Sequence, residues 1–132
     1  MIAAMFTDEE FIAAFESVSL PEFHHRDHVR AAWCYLRDAA LLKALERFTT
    51  AIKNFAAAKG RPELYHETIT WAYVFLIHER MREGEAWDEF ARRNPDLLVW
   101  RPSILDRYYK AETLSSPDAR RTFILPDAAA SA

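Results

Sequence analysis

Apolar and polar positions along the chain repeat with the period of a helix and nowhere with that of a strand. Leu41, Leu45, Phe48, Ile52 and Phe55 step by four, three, four and three residues, which puts them on one stripe of an amphipathic helix ending near Lys59. Phe11, Ala14 and Phe15 make a shorter stripe that ends near Ser17, and Thr7 with Glu10 three residues later is a capping box at its start. Val29, Trp33 and Leu36 mark a second helix that starts between His24 and Asp27 and runs to about Arg37, with Asp38 expected to cap the next one. A fourth helix is expected from about Glu63 to Glu83. Its centre, Trp71-Ala72-Tyr73-Val74-Phe75-Leu76-Ile77, is apolar on every side, so it is expected to be surrounded by other helices and to form the centre of the fold. Shorter helices are expected over Trp87 to Arg93, from Pro102 or Ser103 onward, and after Ser116-Pro117, where a cap precedes a proline at the first helical position.

Two glycines and two asparagines leave few residues for tight hairpin turns, and no stretch alternates with period two. Gly60 followed by Pro62 is a helix stop. The expected fold is all-α: a compact bundle of about five to seven helices, one domain over residues 1–126, with residues 127–132 as a frayed tail.

Composition narrows the function classes. Apolar residues make up 51% of the 132, aromatic residues 14%, and the net charge is −3. A chain of this size and apolar content can bury a core without staples. The charge balance offers no basic footprint for nucleic acid and no basic face for an anionic membrane. The longest strongly apolar run, Trp71 to Ile77, is far short of a membrane span. Cys34 is the single cysteine, so no internal disulfide can form, and its apolar neighbourhood reads as a packing thiol. With no basic leader at Met1 to Phe6, a cytoplasmic, bacterial-type protein is expected.

Chemistry concentrates in two similar stretches. Pro21-Glu22-Phe23-His24-His25-Arg26-Asp27-His28 and Pro62-Glu63-Leu64-Tyr65-His66-Glu67 each run from Pro-Glu through an apolar residue to histidine, and together hold four of the five histidines. An old duplication of a helix pair would explain the likeness, and so would a shared way of starting a helix. His25 and His28, at i and i+3, share a helix face and can converge on one ion, as can His24 and His28 at i and i+4. His66, in the position matching His25, is the third candidate ligand. Glu67 beside it is a candidate ligand or base on metal-bound water. Arg30 is expected to pair with Glu67 or with an acidic residue of a neighbouring helix, or to bind a substrate carboxylate. Thr68 and Thr70 are expected to orient a ligand histidine or to bond back to their own helix. His78 points elsewhere on the same helix.

The run His25-x-x-His28-x-Arg30 together with Tyr65-His66-Glu67-Thr68-Ile69-Thr70 resembles, over most of the chain, a group of small bacterial all-helical proteins of unassigned function. The resemblance implies that His25 rather than His24 is the motif histidine, and it implies no reaction. No glycine-rich phosphate loop and no H-E-x-x-H zinc-protease helix is present.

Two readings follow. In the first, His25, His28 and His66 hold one divalent transition metal (zinc, iron, copper or nickel), with Glu67 catalytic, for hydrolysis or oxidation of a small molecule. Zinc favours the hydrolysis and iron or copper the oxidation. In the second, the protein is a non-enzymatic helical binding or interaction protein whose histidines bind an organic anion or cap helices.

Overall fold

The computed structural model describes residues 6–128, and these contain eight α-helices, two 3-10 turns and no strand. The helices are α1 (Asp8–Glu16), α2 (His25–Asp38), α3 (Leu41–Ala58), α4 (Glu67–Arg80), α5 (Trp87–Arg93), α6 (Pro95–Leu98), α7 (Ala111–Leu114) and α8 (Pro117–Arg121). The 3-10 turns are Pro62–Leu64 and Ile104–Arg107. None of the helices is long and apolar enough to cross a membrane.

Local chemistry sets most of the boundaries. The Thr7–Glu10 capping box closes on both sides, with Thr7 N–H to Glu10 Oε1 at 2.9 Å and Glu10 N–H to Thr7 Oγ1 at 3.1 Å. Gly60 ends the turn after α3 at φ +74°, a conformation that glycine reaches without steric cost. Ser116 caps α8 ahead of Pro117. Several boundaries differ from the expectation: α4 ends at Arg80 rather than near Glu83, and the helix expected from Pro102 or Ser103 is only the Ile104–Arg107 3-10 turn. Asp38 is the last residue of α2 rather than the cap of α3, whose N-cap is Ala40. The expected start of the fourth helix near Glu63 becomes the Pro62–Leu64 turn, and α4 begins only after His66. The reason is that His66 Nδ1 accepts the Ile69 N–H at 3.1 Å and so supplies the cap at that point.

The helix buried on most sides is α2, not α4. Residues Val29 through Leu36 are all buried, and α2 packs on α1, α3, α4 and α6. Its charged residues disguise this in the sequence, yet the two that are buried, Asp27 and Arg30, have partners. Asp27 accepts the His24 N–H at 2.9 Å. Arg30 donates to Phe6 O at 2.9 Å and Asp8 Oδ1 at 3.1 Å, with its guanidinium 4.5 Å from the Phe11 ring. Its ion-pair partner is therefore on α1, and Glu67 is not that partner. Arg37 reaches the other oxygen of Asp8 at 2.6 Å.

Helix α4 packs against α2, α3 and α8 and buries Ala72, Tyr73, Val74 and Ile77. Trp71, Phe75 and Leu76 are half-buried. That outer face is partly roofed by the C-terminal segment. Phe123 stacks on Trp71 at 5.4 Å and meets Phe75 edge-on at 5.6 Å. Thr68 holds the same segment, donating to Thr122 O at 2.8 Å and accepting the Ile124 N–H at 3.0 Å. Asp127, where fraying was expected to begin, accepts the Lys110 N–H at 3.0 Å, and its own N–H donates to Tyr108 O at 3.0 Å. The rest of the expected tail, residues 129–132, lies outside the described residues.

Ile77 is 0% exposed, so Ile77→Ala should cost about 2–5 kcal/mol in urea unfolding. Leu42 is 74% exposed, and Leu42→Ala should change stability by less than about 0.5 kcal/mol.

Candidate functional site

A cavity of about 560 Å³ lies between the first turns of α2 and α4 and the second half of α3, and His25, His28 and His66 all line it. Its walls are mainly apolar. Phe23, Phe48 and Phe55 belong to an aromatic cluster with Phe15, whose ring stacks on Phe23 at 4.8 Å. Ile52, Ile69 and Ile77 add aliphatic surface. Leu64 and Trp100, 60% and 45% exposed, stand at the rim.

Hydrogen bonds give the three histidines different roles. His25, the first residue of α2, reaches across to α6 and donates from Nε2 to Leu97 O at 2.9 Å. Its ring also sits 4.8 Å from Tyr73, edge-on, and 5.1 Å from Trp100. Nε2 carries the proton in that bond, which leaves Nδ1 with its lone pair. His66 uses both nitrogens. Nδ1 accepts the Ile69 N–H, and Nε2 donates to Leu114 O at 2.8 Å. This is the neutral tautomer, serving as cap and as strut to α7. Any metal bound at His66 would have to displace one of these two bonds. His28 packs its ring on Phe23 at 4.4 Å and makes no hydrogen bond among the described residues.

The remaining candidates sit around this frame. His24 is exposed, lies 3.4 Å from Glu22 Oε2 and does not line the cavity. Glu67 is also outside the lining, and its carboxylate accepts the Tyr65 hydroxyl. Glu22 and Glu63, each three residues before a cavity histidine, lie on exposed turns, and Glu63 is bound to Arg61 at 2.6 Å. His78 is exposed on the outer side of α4. Among the described residues no group of three or more His, Cys, Asp and Glu side chains is placed to hold a metal ion. Cys34 is buried elsewhere in α2, and burial pushes its thiol up to about 12, as expected of a packing residue rather than a nucleophile.

Sequence reasoning missed Arg120, Lys59 and Arg61, which with the histidines are the basic residues of the lining. No pattern in the chain joins Arg120 to the Pro62–Leu64 turn. Its guanidinium nevertheless donates from Nη1 to the carbonyls of Glu63 at 2.8 Å and Tyr65 at 3.2 Å. A second hollow, of about 370 Å³, lies between Asp8, Arg30 and Trp87, but Asp8 and Arg30 there are already partners of each other.

Burial depresses all three imidazoles. His28 is pushed down to about 3 by loss of hydration and then by the neighbouring His25. His25 and His66 are lowered by burial against the opposing pull of their carbonyl partners. Unfolded histidines take up protons near 6.5, whereas the folded ones resist uptake below that value, so protonation favours unfolding. The stabilising contribution is therefore complete above the ordinary imidazole range and is lost as pH falls from 6.5 toward 3. His28→Leu should remove about one proton from the uptake that accompanies unfolding in this window, measured as a shallower fall of the urea midpoint with acid.

Comparison of the chain with family models, with curated proteins and with solved structures finds no match.

Proposed function

We propose that this protein binds a small, largely apolar molecule in the cavity between α2, α3 and α4, where His25 and His28 are the neutral hydrogen-bonding groups of the inner wall. The observation that carries this reading is His28. Its ring is partly exposed within an apolar cavity and has no hydrogen-bond partner among the described residues. An imidazole so placed can hydrogen-bond a neutral group on a ligand without first breaking a bond within the protein. The cavity volume falls within the roughly 300–1,000 Å³ typical of small-molecule sites, and its few polar groups among aromatic walls match their usual make-up. Both imidazoles are held neutral by burial, so they act as hydrogen-bonding groups rather than as cations.

A metal ion is the second reading, and one observation favours it. His25 and His28 stand one turn apart on α2, with Nδ1 of His25 and both nitrogens of His28 uncommitted. Two imidazoles would suit zinc, iron, copper or nickel and leave positions open for a substrate. His66 joins them as a third ligand if its bond to Leu114 gives way. Glu67 acts as base only if it leaves Tyr65.

Titration with the neutral fluorophore N-phenylnaphthylamine, alongside metal analysis of untagged protein, separates the two. The binding reading expects one probe per chain, and Ala56→Trp, which fills the cavity, should weaken it by about tenfold or more. The metal reading expects a stoichiometric ion that is lost in His28→Ala. Protein that takes up neither probe nor metal would leave the histidines with structural roles alone.

A further inference from the structure

We infer that the molecule this cavity takes is an amphiphilic anion, a carboxylate on an apolar tail, with its head between Lys59 and Arg120 and its tail along Phe23, Phe48, Ile52 and Phe55. This rests on the reading of the cavity as a binding site. The chain has 20 acidic against 17 basic residues, yet no aspartate or glutamate lines the cavity. Its charged lining residues are Lys59, Arg61 and Arg120.

The three cations are not equally committed. Arg61 is neutralised by Glu63 at 2.6 Å. Lys59 makes no ion pair among the described residues, and its ammonium lies 5.5 Å from the Phe55 ring centre, so the charge sits against the aromatic wall. Arg120 is oriented rather than neutralised. Its bonds go to the main-chain carbonyls of Glu63 and Tyr65, and it has no carboxylate in ion-pair range among the described residues. Lys53 adds a further positive charge beside the cavity wall, 4.9 Å from the Tyr65 ring centre. Glu67, the other carboxylate at this end of α4, is occupied by the Tyr65 hydroxyl.

The polarity is divided accordingly. All three lining cations are exposed, so a head group there keeps its water while gaining attraction. The interior offers aromatic and aliphatic walls with neutral imidazoles, which accept a tail and reject a buried charge. Leu64 and Trp100 at the rim extend the apolar surface toward solvent. A phosphate-type head is less well served, because the Ile69 amide near the start of α4 is already taken by His66 and no glycine-rich loop lies beside it.

Calorimetric titration with dodecanoate, dodecanol and dodecyltrimethylammonium, each below its micelle concentration, holds the tail constant and varies the head. Dodecanoate should bind one per chain and roughly tenfold tighter than dodecanol at low salt, with the cationic amphiphile weakest. Raising the salt should close the gap. Lys59→Gln and Arg120→Gln should each weaken dodecanoate by about three- to fivefold and leave dodecanol unchanged. Lys59→Gln breaks no hydrogen bond among the described residues, so it remains decisive if Arg120→Gln loosens the adjoining turn. Dodecanol equal to dodecanoate, or a preference for the cation, would overturn the anionic head and spare the cavity. So would failure of all three while N-phenylnaphthylamine binds. Failure of all four would remove both the inference and the reading beneath it.

Discussion

Helix α2 lies inside the bundle while carrying a polar residue at almost every step of its first turns, and the rest of the structure follows from how those groups are satisfied. A buried charge without a partner is among the most expensive things a small domain can hold. Arg30 therefore draws in the start of α1 through Asp8 and the Phe6 carbonyl. His25 fixes α6 through Leu97, and Tyr35 closes on Glu16 at the far end of α1. Each bond selects one neighbour at one height on α2, which nonpolar packing alone would not do. His28 is the exception, and the space in front of it is the cavity.

The second strut of that cavity is His66. By capping α4 and donating to Leu114, it joins the start of α4 to the C-terminal helices. It also delays the start of the helix, so that the chain from Lys59 to Tyr65 crosses beside the cavity as a turn rather than as helix. Arg120 holds that turn from the other side through two main-chain carbonyls. The wall bearing Leu64 and Tyr65 is thus fastened by long-range bonds to residues of α7 and α8. Its position depends on the C-terminal segment docking on α4 through Thr68 and Phe123.

Electrostatically the cavity differs from the chain as a whole. The protein is acidic, and carboxylates nearby are present but spent: Glu63 on Arg61, Glu67 on Tyr65. What remains facing the cavity is two cations without a carboxylate partner among the described residues, at the mouth, and neutral rings inside. Such a local imbalance matters more to an entering ligand than the net charge, because Coulomb attraction falls off with distance.

The sequence by itself determined the helical class, most helix ends and the stripe on α3, because these depend on local matters: spacing of apolar residues, the Thr7–Glu10 box, Gly60 and the Ser116-Pro117 start. It also pointed to the histidine-bearing stretches, whose three site candidates line one cavity. It misjudged which helix is innermost, since hydrophobicity ranks α4 above α2 and cannot register that Arg30 and Asp27 have partners. Tertiary structure alone decided what each histidine does. A ring nitrogen's role is set by whichever carbonyl or amide faces it, and for His25 and His66 the carbonyls are Leu97 and Leu114, distant in the chain. It also alone brought Arg120 to the mouth beside Lys59, for the same reason: the main-chain carbonyls that bind it carry no mark in the sequence.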